Sequence, residues 1–292
     1  MSLGKLAGQT LIRAFLNTMK LKETLKNVLP ERELRLLVRA YDVVGDIAIT
    51  IIPPELETKE KIIGEAILAQ QKNIRVVAKR NGIYSGEFRT IPLKIIAGED
   101  RKETIHKEHG VRLRLNPEKV YFSVRSGTER KRLATLVQPG EDVLVMFSGI
   151  GAMPLVIAKL SPAGTIVGIE KNIIAHQYAV QNLALNKKIR NITFLAGDVL
   201  DVMPTLDRKF DRVAMPLPQS GELFLDIALA ALRPGGVLHF YDFQPAGSFD
   251  DAIGKVRCAC EKNGRRLHNA QTVACGHSSP RMYRICVDAK ID

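Results

Sequence analysis

The chain has 292 residues, of which 46% are hydrophobic, and a formal net charge of +12. This length holds one large domain or two unequal ones, and the apolar runs fall short of the roughly 18 residues that a membrane span needs. The basic start lacks the apolar centre of a signal peptide, so we expect a cytoplasmic protein. Its four cysteines lie late in the chain. We interpret them as reduced thiols rather than zinc ligands or disulfides.

The positive charge is concentrated in the first half of the chain. Residues 1–138 contain 26 Lys and Arg against 16 Asp and Glu, a net charge of +10, whereas the remainder carries +2. A basic surface can serve solubility alone. A basic half joined to a nearly neutral half instead favours a polyanionic substrate, and nucleic acid is the obvious candidate.

The first part of the chain predicts a helical extension followed by a small α+β domain. Residues 1–38 are amphipathic, and Pro30 interrupts the helical pattern. From residue 39 strand-like and helical segments alternate, and we place this domain at 39–115. Its predicted segments are a strand at 43–52, a helix at 59–71, and strands at 74–78, 93–97 and 111–115.

A compact group of functional residue types follows the small domain. Aromatic residues, a glycine and two arginines flank Glu129 within residues 120–130, just ahead of a predicted helix that runs through Leu136. The alternative is a solvated helix start, in which Glu129 complements the positive end of the helix dipole.

The second half begins with a pattern typical of a nucleoside-binding site. A buried strand at 143–147 leads into the turn Ser148–Gly151, a helix follows from Pro154 to Lys159, and a second strand at 165–169 ends in Glu170. An acid at that point can accept both hydroxyls of a ribose, while glycines let the backbone approach a ligand. An ordinary strand-to-helix turn is the alternative.

The rest of the chain continues the alternation of helix and strand. Asp198 follows the third predicted strand, where its carboxylate can bind the amine of an adenine or cap a helix. The glycine loop places Pro154 where dinucleotide-binding loops have a third glycine, which favours S-adenosylmethionine over NAD. The predicted elements are helices at 173–185, 221–232 and 250–262, strands at 192–195, 211–215, 237–243, 266–274 and 282–287, and turns at 233–236 and 276–280.

Several strings in order give the chain a family resemblance from about Leu29 to its C-terminus. They are Tyr41–Ala48, Ser85–Arg89, Ala97–Thr104 with His109–Gly110, Lys119–Ser123 with Arg125 and Glu129–Arg130, and Met146–Gly151. With them the chain resembles the archaeal and eukaryotic tRNA methyltransferases that modify N1 of guanine 37, next to the anticodon. A sister family of the same architecture transfers the aminocarboxypropyl group of S-adenosylmethionine during wybutosine synthesis.

The resemblance implies an α/β fold of the class I methyltransferase type over residues 116–292. This is a Rossmann-like, doubly wound and mostly parallel sheet that ends in an antiparallel hairpin, preceded by the smaller α+β domain. It further implies S-adenosylmethionine as cofactor, S-adenosylhomocysteine as product, tRNA as partner, and a monomer without metal. His106 and His109 have no partnering ligands in the sequence that would indicate a metal site.

The chemistry of the reaction gives the implied site residues their roles. Guanine N1 carries a proton, so methylation needs a general base, and the charge that develops on O6 needs a fixed donor. Glu129 matches the base and Arg89 the donor, while Tyr121, Arg125 and Pro216 match residues that hold the target nucleotide. The implied cofactor contacts are Arg130, Phe147, Ser148, Gly149, Ile150, Gly151, Glu170, Lys171, Gly197, Asp198, Val199 and Pro216. The neighbouring cations favour the carboxylate form of Glu129, whereas burial favours the acid.

Three departures from the family pattern leave alternatives open. Pro216 stands where the family has an asparagine, Val145 replaces an aspartate, and we expect the separate N-terminal domain of longer members to be absent or reduced to residues 1–38. Ala-Met-Pro at 152–154 also stands where the family usually has a Pro-Phe pair. The alternatives are aminocarboxypropyl transfer, against which Arg125 argues, a tRNA-binding protein without chemistry, and a small-molecule methyltransferase.

Overall fold

The structure, a computed structural model, describes residues 21–292. Most of the predicted helical extension at 1–38 lies outside these residues. Its described part is helical at 21–25 and in α1, Glu31–Leu36. The chain forms two compact units, and the smaller comprises the described residues up to His106 together with Leu115–Val124. The larger comprises Lys107–Arg114 and Arg125–Asp292.

The smaller unit is built on a four-stranded sheet in the order β1-β2-β3-β4. Strands β2 and β3 are parallel, and helix α2 lies between them in the chain, so the three elements form a βαβ unit. The pairs β1–β2 and β3–β4 are antiparallel. The elements are β1 Asp42–Val44, β2 Ile47–Thr50, α2 Glu60–Gln70, β3 Val76–Arg80 and β4 Leu93–Gly98, with a 3₁₀ turn at Pro54–Lys59. A separate two-stranded sheet consists of β5, Thr104–Glu108, and β6, Val111–Leu115.

The prediction of one strand at 43–52 is wrong, because the chain reverses inside it. Val44 pairs with Ile47 across a tight turn, and Gly45 takes a φ of +59° there. The sequence analysis also missed strand β5. Its alternation of polar and apolar residues is weak, with a single buried residue, Thr104.

The core of the smaller unit includes the first residues that the structure describes. Five leucines from residues 21–37 are buried with side chains of α2, including Ile63 and Ile67. They are Leu21, Leu25, Leu29, Leu34 and Leu37. This part of the predicted extension is therefore packed into the unit.

The larger unit contains a seven-stranded sheet in the order β12-β13-β11-β10-β7-β8-β9. Strands β11, β10, β7, β8 and β9 run parallel, while β13 and β12 form an antiparallel hairpin at one edge. The doubly wound sheet with its C-terminal hairpin is thus confirmed. The elements are α3 Gly127–Leu136, β7 Val143–Val145, α4 Ala152–Leu160, β8 Ile166–Glu170, α5 Ile173–Leu185, β9 Ile192–Ala196, α6 Val199–Val202, β10 Phe210–Met215, α7 Leu225–Ala231, β11 Leu232–Pro245, α8 Phe249–Lys262, β12 Leu267–Ser279 and β13 Met282–Ile291.

Two turns were placed wrongly in the sequence analysis. The residues predicted as a turn at 233–236 belong to β11, where the register jumps from the pair Phe210–Leu232 to the pair Arg212–Val237. The extra residues bulge from the strand and do not end it. The hairpin strands likewise extend past the predicted turn at 276–280, because their antiparallel pairing continues to Ser279 and Met282.

Helices pack against the central sheet, and the main buried cluster consists of hydrophobic side chains. Phe210 and Phe240 are the largest fully buried side chains, and both belong to the same cluster as α7 and α8 residues. In the stretch from residue 21 onward, no helix is both long and apolar enough to cross a bilayer. The core thus fixes the strand ends, which carry the predicted site.

Candidate active site

The predicted cofactor residues converge because neighbouring parallel strands end at the same edge of a sheet. Strands β10, β7, β8 and β9 are adjacent, and backbone hydrogen bonds join the loops after β7 and β9 to the end of β8. Ser148 N–H donates to Ile169 O at 2.9 Å, and Gly197 N–H donates to Glu170 O at 3.0 Å. These bonds set the spacing between the glycine loop and the two acidic strand ends.

The loop after β7 has the shape of a ligand cradle. Phe147, Gly149 and Gly151 all have positive φ, at 56°, 58° and 79°. A Cβ at Gly149 would meet nothing within 4 Å, so the backbone there is open, whereas a Cβ at Gly151 would lie 2.6 Å from Phe194 Cζ. The first glycine therefore leaves room for a ligand, and the second permits close packing beneath it.

Glu170 is held in place by backbone donors at the end of β8. Its carboxylate accepts the N–H of Gly149 at 2.7 Å and the N–H of Asn172 at 2.8 Å. Burial raises the pKa of Glu170, and the backbone donors, including Lys171, oppose that effect. The carboxylate is thus fixed beside the glycine loop, where the sequence predicts a ribose.

Asp198 performs the capping role that was the alternative to adenine binding. It caps α6 by accepting the N–H of Leu200 at 2.9 Å, and Lys171 pairs with its other oxygen at 3.0 Å. The backbone bond from Leu200 is the main cause of a lowered pKa for Asp198. A carboxylate has further lone pairs, so the cap leaves the predicted adenine contact untested.

Two predicted cofactor residues have side chains that pack inside the larger unit. The side chains of Ile150 and Val199 are buried, and Val199 packs in the core of the larger unit. The carbonyl of Ile150 accepts a hydrogen bond from the side-chain amide of Asn182 at 3.0 Å.

Pro216 follows Met215 directly at the end of β10 and is half-buried, with neither an N–H nor a side-chain donor.

The residues at this edge fit S-adenosylmethionine. The hydroxyl of Ser148 is buried without a hydrogen-bond partner among the residues that the structure describes. A buried hydroxyl without a partner carries a desolvation cost, which a polar ligand group can remove. The open backbone at Gly149 and the fixed carboxylate of Glu170 supply the space and the acceptor that such a ligand needs.

The predicted base lies on helix α3, and its environment excludes the alternative of a solvated helix start. Glu129 and Arg130 are each only 6% exposed. Glu129 accepts two hydrogen bonds from Arg132, both at 2.7 Å, and one from the Tyr241 hydroxyl at 2.6 Å. Arg130 forms a bidentate pair with Glu108, with both distances at 2.6 Å.

Sequence reasoning missed two partners of Glu129. Arg132 lies three residues along the same helix, so the helical period could have indicated it. Tyr241 lies 112 residues further along the chain, on β11. No local signal connects it to Glu129.

The predicted O6 donor Arg89 and the predicted nucleotide-binding residue Tyr121 meet in the smaller unit. The Arg89 guanidinium lies over the Tyr121 ring, 5.4 Å from its centre, and the Tyr84 ring meets Tyr121 edge to face at 5.9 Å. Tyr121 is 43% exposed, so part of this ring is open to a ligand. Arg125, on the 3₁₀ turn Val124–Ser126, is exposed and belongs to the larger unit.

Two groups of side chains could suggest a metal site. His239, Cys286 and Asp288 each offer a ligand atom within 4.8 Å of the others. However, guanidinium groups of Arg212 and Arg132 donate to His239 and Asp288, so a metal ion would meet positive charge on both sides. We assign these three residues to a hydrogen-bond network. His106 and His109 are engaged separately, with the backbone of Gly45 and of Gly127 respectively.

The parallel sheet, the open glycine loop and the acid at the end of β8 define a class I S-adenosylmethionine-dependent methyltransferase. Residues 104–268 match the TRM5/TYW2 methyltransferase domain, and residues 21–101 match the TYW2 N-terminal domain. The chain belongs to the TRM5/TYW2 methyltransferase family.

Known relatives within this family differ in the group they transfer. The chain is 36% identical to the tRNA (guanine(37)-N(1))-methyltransferase Trm5b of Pyrococcus abyssi, over 90% of this chain and 78% of that protein. It is 31% identical to a tRNA(Phe) (4-demethylwyosine(37)-C(7)) aminocarboxypropyltransferase of Methanocaldococcus jannaschii, over 86% of this chain and 98% of that protein. The solved complex of aTrm5 and tRNALeu superposes with a TM-score of 0.78 at 34% identity, covering 92% of this chain and 77% of that one.

Proposed function

We propose that this protein transfers the methyl group of S-adenosylmethionine to N1 of guanine 37 in tRNA. The observation that carries the proposal is the buried carboxylate of Glu129, which Arg132 and Tyr241 hold in one orientation. A fixed, buried acceptor is what the abstraction of the N1 proton requires. The similarity to guanine-37 methyltransferases over most of the chain supports the same reaction.

In this proposal each predicted residue has one task. Glu129 accepts the proton from N1, and the guanidinium of Arg89 donates to O6 as charge develops there. Tyr121 and Arg125 hold the target nucleotide, which must leave its stack at a cost of roughly a few kcal/mol. Pro216 borders the same nucleotide and the cofactor.

Cofactor binding is assigned to the carboxyl edge of the sheet. Bound S-adenosylmethionine supplies an activated methyl group on a sulfonium. The loop at 147–151 and the edge residues Gly197 and Val199 shape its site, while Ser148 and Arg130 bind its polar groups. Glu170 accepts its ribose hydroxyls, and Asp198, positioned by Lys171, accepts its adenine amine.

Aminocarboxypropyl transfer is the second candidate function. Pro216 keeps it open, because a proline cannot provide the amide with which the family's asparagine positions base and cofactor. The relative from Methanocaldococcus jannaschii is named for that transfer and is matched over 98% of its length. Arg125 favours methyl transfer instead.

We further propose that the protein acts in the cytoplasm as a monomer, without a metal, and that residues 39–115 bind the tRNA. The net charge of +10 on residues 1–138 supports binding to phosphates. Affinity for tRNA should then fall steeply between about 50 and 200 mM salt. A small-molecule methyltransferase would show no tRNA affinity to lose.

A double-label experiment separates these functions. The protein is incubated with S-adenosylmethionine labelled in either the methyl or the carboxyl carbon, and with tRNA transcripts that carry G or A at position 37. Methyl label recovered as N1-methylguanosine from the G37 transcript alone is the expected result. Carboxyl label in RNA, retested on a tricyclic wyosine precursor, would establish the second candidate. Bound tRNA without transfer of either label would indicate a binding protein.

A further inference from the structure

The proposed base belongs to a chain of buried charged groups that crosses the larger unit. Arg132 bonds Glu129 on one side and Asp288 on the other, with Nη1 to Oδ2 at 2.6 Å and Nη2 to Oδ1 at 3.2 Å. Asp288 lies on β13 and is 9% exposed. One guanidinium is therefore shared between two buried carboxylates from distant parts of the chain.

His239 connects Asp288 to a second arginine and is held in one tautomer. Its Nε2 lies 2.6 Å from Arg212 Nη1, which can only donate, so Nε2 must accept. Its Nδ1 therefore carries the proton and donates to Asp288 Oδ1 at 2.5 Å. Arg212 in turn pairs with Glu141. The neutral His239 thus adds a donor to Asp288 without adding charge.

Other titratable groups near Glu129 keep their protons across the physiological range. Tyr241 faces it from β11, Cys275 from β12 and Cys286 from β13. Burial is the main cause that raises the pKa of all three, and the Glu129 carboxylate adds to the effect. The charged side chains in the network around Glu129 are therefore Arg132 and, beyond it, Asp288, Arg212 and Glu141.

This arrangement resolves a conflict at the proposed base. A bidentate arginine stabilises a carboxylate in its ionised form and so makes it a weaker proton acceptor. Asp288 binds the same guanidinium and offsets its positive charge. Arg132 can then hold the orientation of Glu129 while Asp288 compensates part of its positive charge.

We propose that Asp288 is a positioning residue which, through the shared Arg132, maintains Glu129 as an effective proton acceptor. The inference rests on the proposed methyl transfer, because it assigns Glu129 the role of base. It extends the functional site to β13 and to a pair that lies 156 residues apart in the chain.

The test measures single-turnover methyl transfer to a G37 transcript between pH 5 and 9, in the full-length protein. Asp288→Asn keeps the shape of the side chain and removes its charge. We expect the acidic limb of the pH–rate profile, where the rate rises with pH, to move to lower pH by about one unit. The plateau rate should fall several-fold. Arg132→Gln removes the positive charge instead, so its acidic limb should move to higher pH.

Two further variants complete the design. Asp288→Glu retains the charge and should restore the wild-type limb. Asp211→Asn is the matched control, because Asp211 is also a strand aspartate paired with an arginine, Arg233, and lies outside the network. It should leave the profile unchanged.

Opposite shifts for the two charge-removing variants support the inference, since general damage to the fold would not give them. An unshifted limb in Asp288→Asn, with lower melting temperature and uniformly lower rate, would overturn it and make Asp288 purely structural. If Asp288→Asn does not fold, Asp288→Ser, which also removes the charge, takes its place: an acidic limb at lower pH supports the inference, and an unshifted limb overturns it. A wild-type protein that transfers no methyl group would overturn the proposed function itself.

Discussion

Tyr241 donates its hydroxyl to Glu129 Oε1 at 2.6 Å, across the gap between β11 and α3. The tyrosine is 2% exposed, and burial raises its pKa well above the ordinary value, so it stays a donor. Tyr241→Phe should lower methyl transfer about tenfold, because Glu129 loses one of the bonds that fix its orientation. S-adenosylmethionine affinity, measured by calorimetry, should not change. Unaltered turnover would show that Arg132 alone orients Glu129.

Replacing Glu129 itself tests its assignment as the base. Glu129→Gln preserves the volume and removes the proton acceptor, so turnover should fall by about 10²- to 10⁴-fold. Glu129→Ala should lose a similar amount. Both variants should bind S-adenosylmethionine and tRNA as the wild type does, as measured by calorimetry and filter binding. An equal loss of binding would mean that Glu129 is structural.

Glu170 should govern the affinity for the cofactor without affecting the affinity for tRNA. Glu170→Gln turns an acceptor-only carboxylate into a group that offers one fewer acceptor to the ribose. We expect the Kd for S-adenosylmethionine to rise about tenfold or more, in line with the loss of a charged hydrogen bond. Glu261→Gln, at an exposed position of α8, serves as the control. An unchanged cofactor Kd would place the ribose elsewhere.

Pro216→Asn tests the most conspicuous departure from the family pattern. The Leu217 N–H donates to Met215 O at 2.7 Å around this residue, so the chain turns tightly there. An asparagine would restore an amide at the strand end, and methyl transfer should rise several-fold. Pro218→Asn, two residues further on, is the matched control for changes in loop rigidity. A fall in rate would mean that the turn requires the proline.

His239 should make the fold sensitive to mild acid. Burial lowers its pKa in the folded protein, with Asp288 opposing the effect, so unfolding takes up a proton as the pH drops below about 6.5. Its stabilising contribution is complete above that pH and declines towards the folded pKa. His239→Gln should flatten the fall in melting temperature between pH 7.5 and 5. A variant curve parallel to that of the wild type would contradict this linkage.

The sequence predicted the elements that local patterns define. The apolar runs gave strands β7 to β10, and the acids that follow two of them marked the cofactor edge before any fold was known. The sequence was enough to predict that these acids converge, because neighbouring parallel strands end at the same edge of a sheet. The helical stretch around Glu129 was also evident, and its motifs pointed to the family.

The tertiary structure alone decided what surrounds Glu129. Tyr241 contacts Glu129 directly from β11, and Asp288 acts on it through Arg132 from β13. The antiparallel register of these two strands pairs Tyr241 with Cys286 and His239 with Asp288. A slip of one residue in that register would turn each side chain to the other face of the sheet. The register depends on packing along the whole of β11 and β13, which pair without a shift from Gly236 to Pro245. No short stretch of sequence contains that information, so the base was predictable, whereas Tyr241 and Asp288 were not.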